Sequence, residues 1–215
     1  MDASVLYMIA VVAPPAIFAI TVHEVAHGYV AKLCGDPTAA NARRLTLNPV
    51  NHVDPVGTLL IPGITFALTG FVFGWAKPVP VDWRRLDRPR RDIALVALAG
   101  PAANLLMLFG WIALARSATT FAPGSALAAG IVDMCRVGFV VNAILMLLNL
   151  LPVPPLDGSR VVTVLLPRNA AAAYNRAGRY GLIIVALLLV TGILAFLIVP
   201  PLNWVLGWAA ALAGI

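Results

Sequence analysis

The chain has 215 residues, of which 61% are hydrophobic and only 11% charged, and its mean hydropathy is +0.92. Soluble domains carry about a quarter charged residues, so this composition excludes a water-soluble globule and predicts an integral membrane protein. The net charge of +6 does not point to nucleic acid, because Lys and Arg cluster in loops beside apolar runs, as membrane orientation requires.

The first apolar segment runs from about Val5 to Leu33 and contains Pro14 and Pro15, a kink that membrane helices tolerate. Its N-terminus lacks a basic region and shows no cleavage-like break, so a retained first span is expected, not a removed signal. Gly35-Asp36-Pro37 ends it. The polar stretch TAANARRLTLNPVNHVDP follows, in which RRLTL alternates weakly in the manner of a short strand. Val56 to Phe73 is apolar again but is interrupted by Gly57, Pro62, Gly63 and Gly70. FGWAKPVPVDW reads as extended chain, and RRLDRPRRD as a basic loop.

Ile93–Ala115 and Ala126–Leu151 are clear spans, each near the length of about 20 residues that crosses a bilayer. PVPPLDG breaks the second, Ser159–Leu166 reads as a short helix, and RNAAAAYNRAGR as a basic loop. Leu182–Val199 spans again, Pro200-Pro201 interrupts, and Leu202–Ile215 is short for a crossing of its own. There is no internal repeat or long linker. The expectation is one domain over 1–215, with a core of about 5–167 and extra C-terminal helices over about 180–215. Cys34 and Cys135 do not make a disulfide framework; both read as small buried apolar residues, although Cys34 could share a helix face with His27.

His23-Glu24-Val25-Ala26-His27 matches H-E-x-x-H. On a helix, positions i and i+4 share one face, so both imidazoles can ligate one metal ion, and the glutamate between them can serve as general base to a water. Ionisable groups inside a span are costly to bury and usually functional. A catalytic zinc site usually has three protein ligands, and the remaining candidates are His52, Asp54, Asp82, Asp87, Asp92, Asp133 and Asp157. Asp157 stands out because the prolines and glycine of NLLPVPPLDG open the backbone at the end of a long apolar helix. Its bland alternative is a helix-capping aspartate.

HEVAH, AGPAAN at 99–104 and NLLPVPPLDG at 149–158 together resemble the site-2 protease family of intramembrane zinc metalloproteases, over about residues 20 to 160. NPVNHVDPVGT and FGWAKPVPV further resemble its small bacterial branch without PDZ or CBS domains. The resemblance implies an all-α polytopic bundle of about four to six transmembrane helices, one Zn2+ per chain and a transmembrane protein as substrate. It also implies a bacterial inner-membrane location. By the same resemblance His23, His27 and Asp157 are zinc ligands, Glu24 is the catalytic base, and Asn149 and Asn104 assist substrate or oxyanion binding.

A shared zinc constrains topology. His23 and His27 lie toward the C-terminal end of the first span, and Asp157 lies just past the end of Ala126–Leu151, so these two helices must run in the same direction. Val56–Val81 must then enter the membrane and return to the same side. That fold puts Lys32, Arg43, Arg44, Lys77, Arg84 to Arg91, Arg160, Arg168, Arg176 and Arg179 on one face and leaves mainly Arg116 near the other, which predicts an active site toward the cytoplasm. Phe71–Val81 is expected to offer either an edge for pairing with unwound substrate or a structural plug over the site. The rival functions are a metal or ion permease and a non-proteolytic binder; neither has a use for a general base beside the first ligand.

Overall fold

The computed structural model describes residues 3–61, 64 and 77–215. Helix α1 covers Ala3–Leu33, α2 Pro89–Phe121, α3 Ala126–Asn149, α4 Asp157–Leu165, α5 Arg168–Ala177, α6 Gly181–Val190 and α7 Ile193–Ala213. Five stretches are long and apolar enough to cross a membrane: Leu6–Leu33, Pro89–Phe121, Ala126–Asn149, Arg168–Val190 and Ile193–Ala213. The chain is therefore an all-α polytopic membrane protein, with no strand among the described residues. The weak alternation of RRLTL does not become a strand: residues 44–48 are irregular, and Arg43 takes a left-handed turn with φ of 54°.

Local chemistry sets the helix boundaries. At 31 residues and about 1.5 Å per residue, α1 is about 46 Å long, more than a hydrocarbon core of about 30 Å requires. Pro89 starts α2 at a position where its missing N–H costs nothing, and the Asp92 carboxylate reaches back to accept the Arg88 N–H at 2.7 Å. Ser125 caps α3 by accepting the Ala128 N–H at 3.1 Å.

Two sequence expectations are corrected in the C-terminal third. RNAAAAYNRAGR is mostly helix, not loop, because its alanines and arginines are strong helix formers and none of α5 needs burial. The chain breaks at Thr191-Gly192 and not at Pro200-Pro201: Gly192 takes φ of 77°, which a glycine adopts without strain, whereas both prolines lie within α7. Proline is tolerated there because membrane helices re-satisfy freed backbone groups from their neighbours.

The core lies where α2, α3 and α7 meet, with Leu108, Ile112, Cys135, Phe139, Met146, Val205 and Ala209 buried together. Gly138 permits the close approach of α3 to α2, since a Cβ there would lie 2.6 Å from the Trp111 ring. Outward-facing Leu106, Phe196 and Trp204 are 71%, 78% and 73% exposed, which suits contact with lipid.

Helix directions follow from contacts at the two ends of the bundle. Tyr7 in α1 donates to Asp133 near the start of α3 at 2.7 Å, while His23 and His27 meet Asp157 beyond the end of α3. Helices α1 and α3 are therefore parallel. The Asp87 N–H donates to the Cys34 carbonyl at 2.9 Å, and Cys34 packs with Leu86 and Val96, so α2 starts where α1 ends and runs antiparallel. The Lys77 N–H donates to the His52 carbonyl at 2.9 Å, so the chain leaves residue 52 and comes back to the same place. The expected return to one side is thus observed at its two ends. Pro55–Leu60 begins the excursion as a wide helical turn; the expected extended portion over 71–76 lies outside the described residues.

Candidate metal centre and active site

His23 and His27 project from one face of α1 toward α2, and each imidazole is held from behind. His23 Nδ1 lies 2.6 Å from Asn104 Oδ1, and His27 Nδ1 lies 2.6 Å from the Val96 carbonyl oxygen. Both partners are acceptors, so both rings carry their proton on Nδ1 and turn an Nε2 lone pair toward the other. The two Nε2 atoms are 3.1 Å apart, and Asp157 Oδ2, from the first turn of α4, is 3.3 Å from each. That oxygen is buried without a hydrogen-bond partner.

Three electron pairs converging this closely repel one another unless a cation sits among them. Zinc bonds of about 2.0–2.1 Å in tetrahedral geometry place neighbouring ligand atoms about 3.3 Å apart, so the observed triangle fits one zinc ion. Gly100 adds a second sign. A Cβ at this position would lie 2.5 Å from His27 Nε2 and 2.6 Å from His23 Nε2, so the glycine keeps open the space that the donors face. With both rings turning lone pairs toward it, the Asp157 carboxylate is the anionic donor of the trio, the kind of group that a bound cation would complete.

The other third-ligand candidates are engaged elsewhere. His52 Nε2 bonds the Thr46 carbonyl, Asp54 caps the turn at Val56 and Gly57, and Asp82 pairs with Arg84. Asp92 holds Arg88 and Arg91, and Asp133 holds Tyr7 and Arg136. Asp87 stands against Gly35. Among the described residues His23, His27 and Asp157 are the one trio with ligand atoms so gathered.

Glu24 is half-buried, and its Oε2 accepts the Val79 N–H at 2.8 Å. The stretch 77–82 thus lies as a strap beside the motif. Asp36, fully buried, accepts the Asp82 N–H at 2.7 Å, and Arg44 donates to the Lys77 carbonyl at 2.9 Å. Gly28 leaves room for the strap: a Cβ there would lie 2.6 Å from Val79 Cγ1. Asn149 donates to the Leu145 carbonyl at 3.0 Å and is half-buried. Asn104 is fully buried, and its amide donates to Asn142 at 3.0 Å, so both its polar ends are used behind His23. Asn142, Asp36 and the Val79 N–H were not anticipated from sequence. An asparagine in the middle of an apolar span is itself a signal, and FVVNAILM carries it.

The chain is 40% identical over 189 residues to YwhC of Bacillus subtilis, a protein provisionally named a zinc metalloprotease; the match covers 87% of this chain and 83% of the relative. The model of peptidase family M50 matches residues 95–192. The chain belongs to peptidase family M50. Rip2 of Mycolicibacterium smegmatis, provisionally named likewise, is 32% identical over 81% of this chain and 64% of its own length. Rip2 of Mycobacterium tuberculosis strain H37Rv is 29% identical over 90% of this chain and 70% of its own. No solved structure matches significantly. As an M50 member with five candidate spans, the protein is a membrane metalloprotease, and the permease reading falls.

Proposed function

We propose that the protein hydrolyses peptide bonds in or near the transmembrane segments of other membrane proteins, with one zinc ion per chain held by His23, His27 and Asp157. The observation that carries this reading is the 3.1–3.3 Å triangle of His23 Nε2, His27 Nε2 and Asp157 Oδ2 within a chain built of membrane spans. When bound, zinc supplies Lewis acidity to a water and to the scissile carbonyl. Glu24 takes the proton of the attacking water and delivers it to the leaving nitrogen. Asn104 and the Val96 carbonyl hold the imidazoles in the tautomer that can ligate. Asn104 is thereby reassigned from substrate binding to the support of His23. Asn149 remains the candidate donor to the oxyanion.

The clustering of Lys and Arg supports a cytoplasmic position for the end of the bundle that carries the site, in a bacterial inner membrane. Arg160 in α4 stacks 5.1 Å over Trp83, before α2, which keeps two parts of that basic face together. The test is cleavage of purified single-span model substrates in liposomes, with the fragments mapped by mass. Cuts within or beside the span are expected; cuts confined to soluble tails would overturn the reading.

The strap holds the general base, so Val79→Pro, which removes the N–H that Glu24 accepts, should leave zinc content at the wild-type level. Cleavage should fall at least about tenfold, the effect of losing a hydrogen bond to a charged group. Full activity in this variant would show that Glu24 does not depend on the strap.

A further inference from the structure

We propose that Asn142, in the middle of α3, is a positioning residue that fixes the tautomer of His23 and thereby its capacity to bind metal. The inference rests on the reading of His23 as a ligand. Three hydrogen bonds run from the α3 backbone to the site. Asn142 Nδ2 donates to the Gly138 carbonyl at 2.8 Å. Asn104 Nδ2 donates to Asn142 Oδ1 at 3.0 Å, and His23 Nδ1 lies 2.6 Å from Asn104 Oδ1.

The direction of this chain is set at its far end. A backbone carbonyl can only accept, so Gly138 forces the Asn142 amide nitrogen toward it and the Asn142 oxygen toward Asn104. That oxygen can in turn only accept, so it draws the Asn104 amide nitrogen and leaves the Asn104 oxygen facing His23. His23 must then place its proton on Nδ1, and Nε2 keeps its lone pair. Either amide turned over would present N–H to His23 Nδ1, shift the proton to Nε2 and block the ligating atom. Asn104 and Asn142 are both 0% exposed, so no water competes for these bonds. His27 takes its tautomer from the Val96 carbonyl instead and is independent of the relay. A polar pair that merely joins two membrane helices needs no such direction.

The test uses the full chain, with ring-nitrogen-labelled histidine, in detergent. The sequence contains only three histidines, so each ring can be assigned. In the metal-free protein, nitrogen NMR reads the tautomers of His23 and His27, and zinc affinity is taken from chelator competition. Asn142→Leu should move His23 toward the Nε2–H form, leave His27 unchanged and weaken zinc binding by about 10–100-fold, the usual effect of losing a partner behind a ligand. Asn142→Asp, which as a neutral acid can donate to Gly138 and accept from Asn104, should restore both. Where the leucine variant does not fold, Asn142→Ala takes its place with the same expectation. An unchanged His23 tautomer, equal shifts at His23 and His27, or an aspartate variant no better than leucine would overturn the proposal. His23→Ala is run alongside: if it keeps wild-type zinc affinity, the ligand reading fails, whatever Asn142 does.

Discussion

Glu24→Gln should abolish proteolysis while zinc stays bound. The substitution keeps the size of the side chain and an oxygen that can accept the Val79 N–H, now made to Oε2 at 2.8 Å, but it removes the group that takes a proton. General base catalysis contributes about 10²–10⁴-fold, and cleavage of a single-span substrate should drop by that factor. Zinc content, measured by elemental analysis of the purified variant, should match wild type because Glu24 is not among the three converging donors. Loss of zinc together with activity would make Glu24 part of the metal site and defeat its assignment as base. Undiminished cleavage would put the base elsewhere in the chain.

Asp157→Ala should lose the metal itself. Zinc in four-ligand structural sites binds with about 10–16 kcal/mol, so one protein ligand is worth about 3 kcal/mol, or roughly a hundredfold or more in affinity. Chelator competition should show that loss, and cleavage should fail with it. The two imidazoles would remain with their Nε2 atoms 3.1 Å apart and nothing anionic to complete the triangle. If Asp157→Ala holds zinc at wild-type affinity, the third ligand is another residue and the argument for parallel α1 and α3 loses its chemical basis. The variant also separates ligation from capping: a cap at the start of α4 would cost helix stability and leave zinc in place.

The histidine pair was legible because its spacing is fixed by the helix alone, and Asp157 because prolines and a glycine mark where a polar group can enter an apolar region. The same-side return between residues 52 and 77 was legible because a shared metal permits only one relative direction for α1 and α3. Contacts that join residues distant in sequence were not legible. The Val79 N–H, Asp36 and Asn142 act through partners 55, 46 and 38 positions away, and no local pattern names such partners. Proline misled in one place: Pro200-Pro201 looked like an interruption, yet the break fell at Gly192, where only φ was at stake. The segment Arg168–Ala177 looked like a loop because its arginines and asparagines stand out in sequence, while the four alanines and the tyrosine between them bury nothing and leave no core-facing stripe to read.

The matched family stretch ends at residue 192, one position before α7 begins. Yet Val205, Ala209 and Ala213 lie in the same cluster as Leu108, Phe139 and Met146, and Arg116 of α2 donates to the Leu212 carbonyl at 3.2 Å. Every residue assigned to the chemistry precedes that boundary, while part of what wedges α2 against α3 follows it. The asparagine relay crosses the same seam between α2 and α3. A minimal enzyme cut off at the end of the matched stretch would therefore contain all of its reagents and lack one wall of the vessel that aligns them.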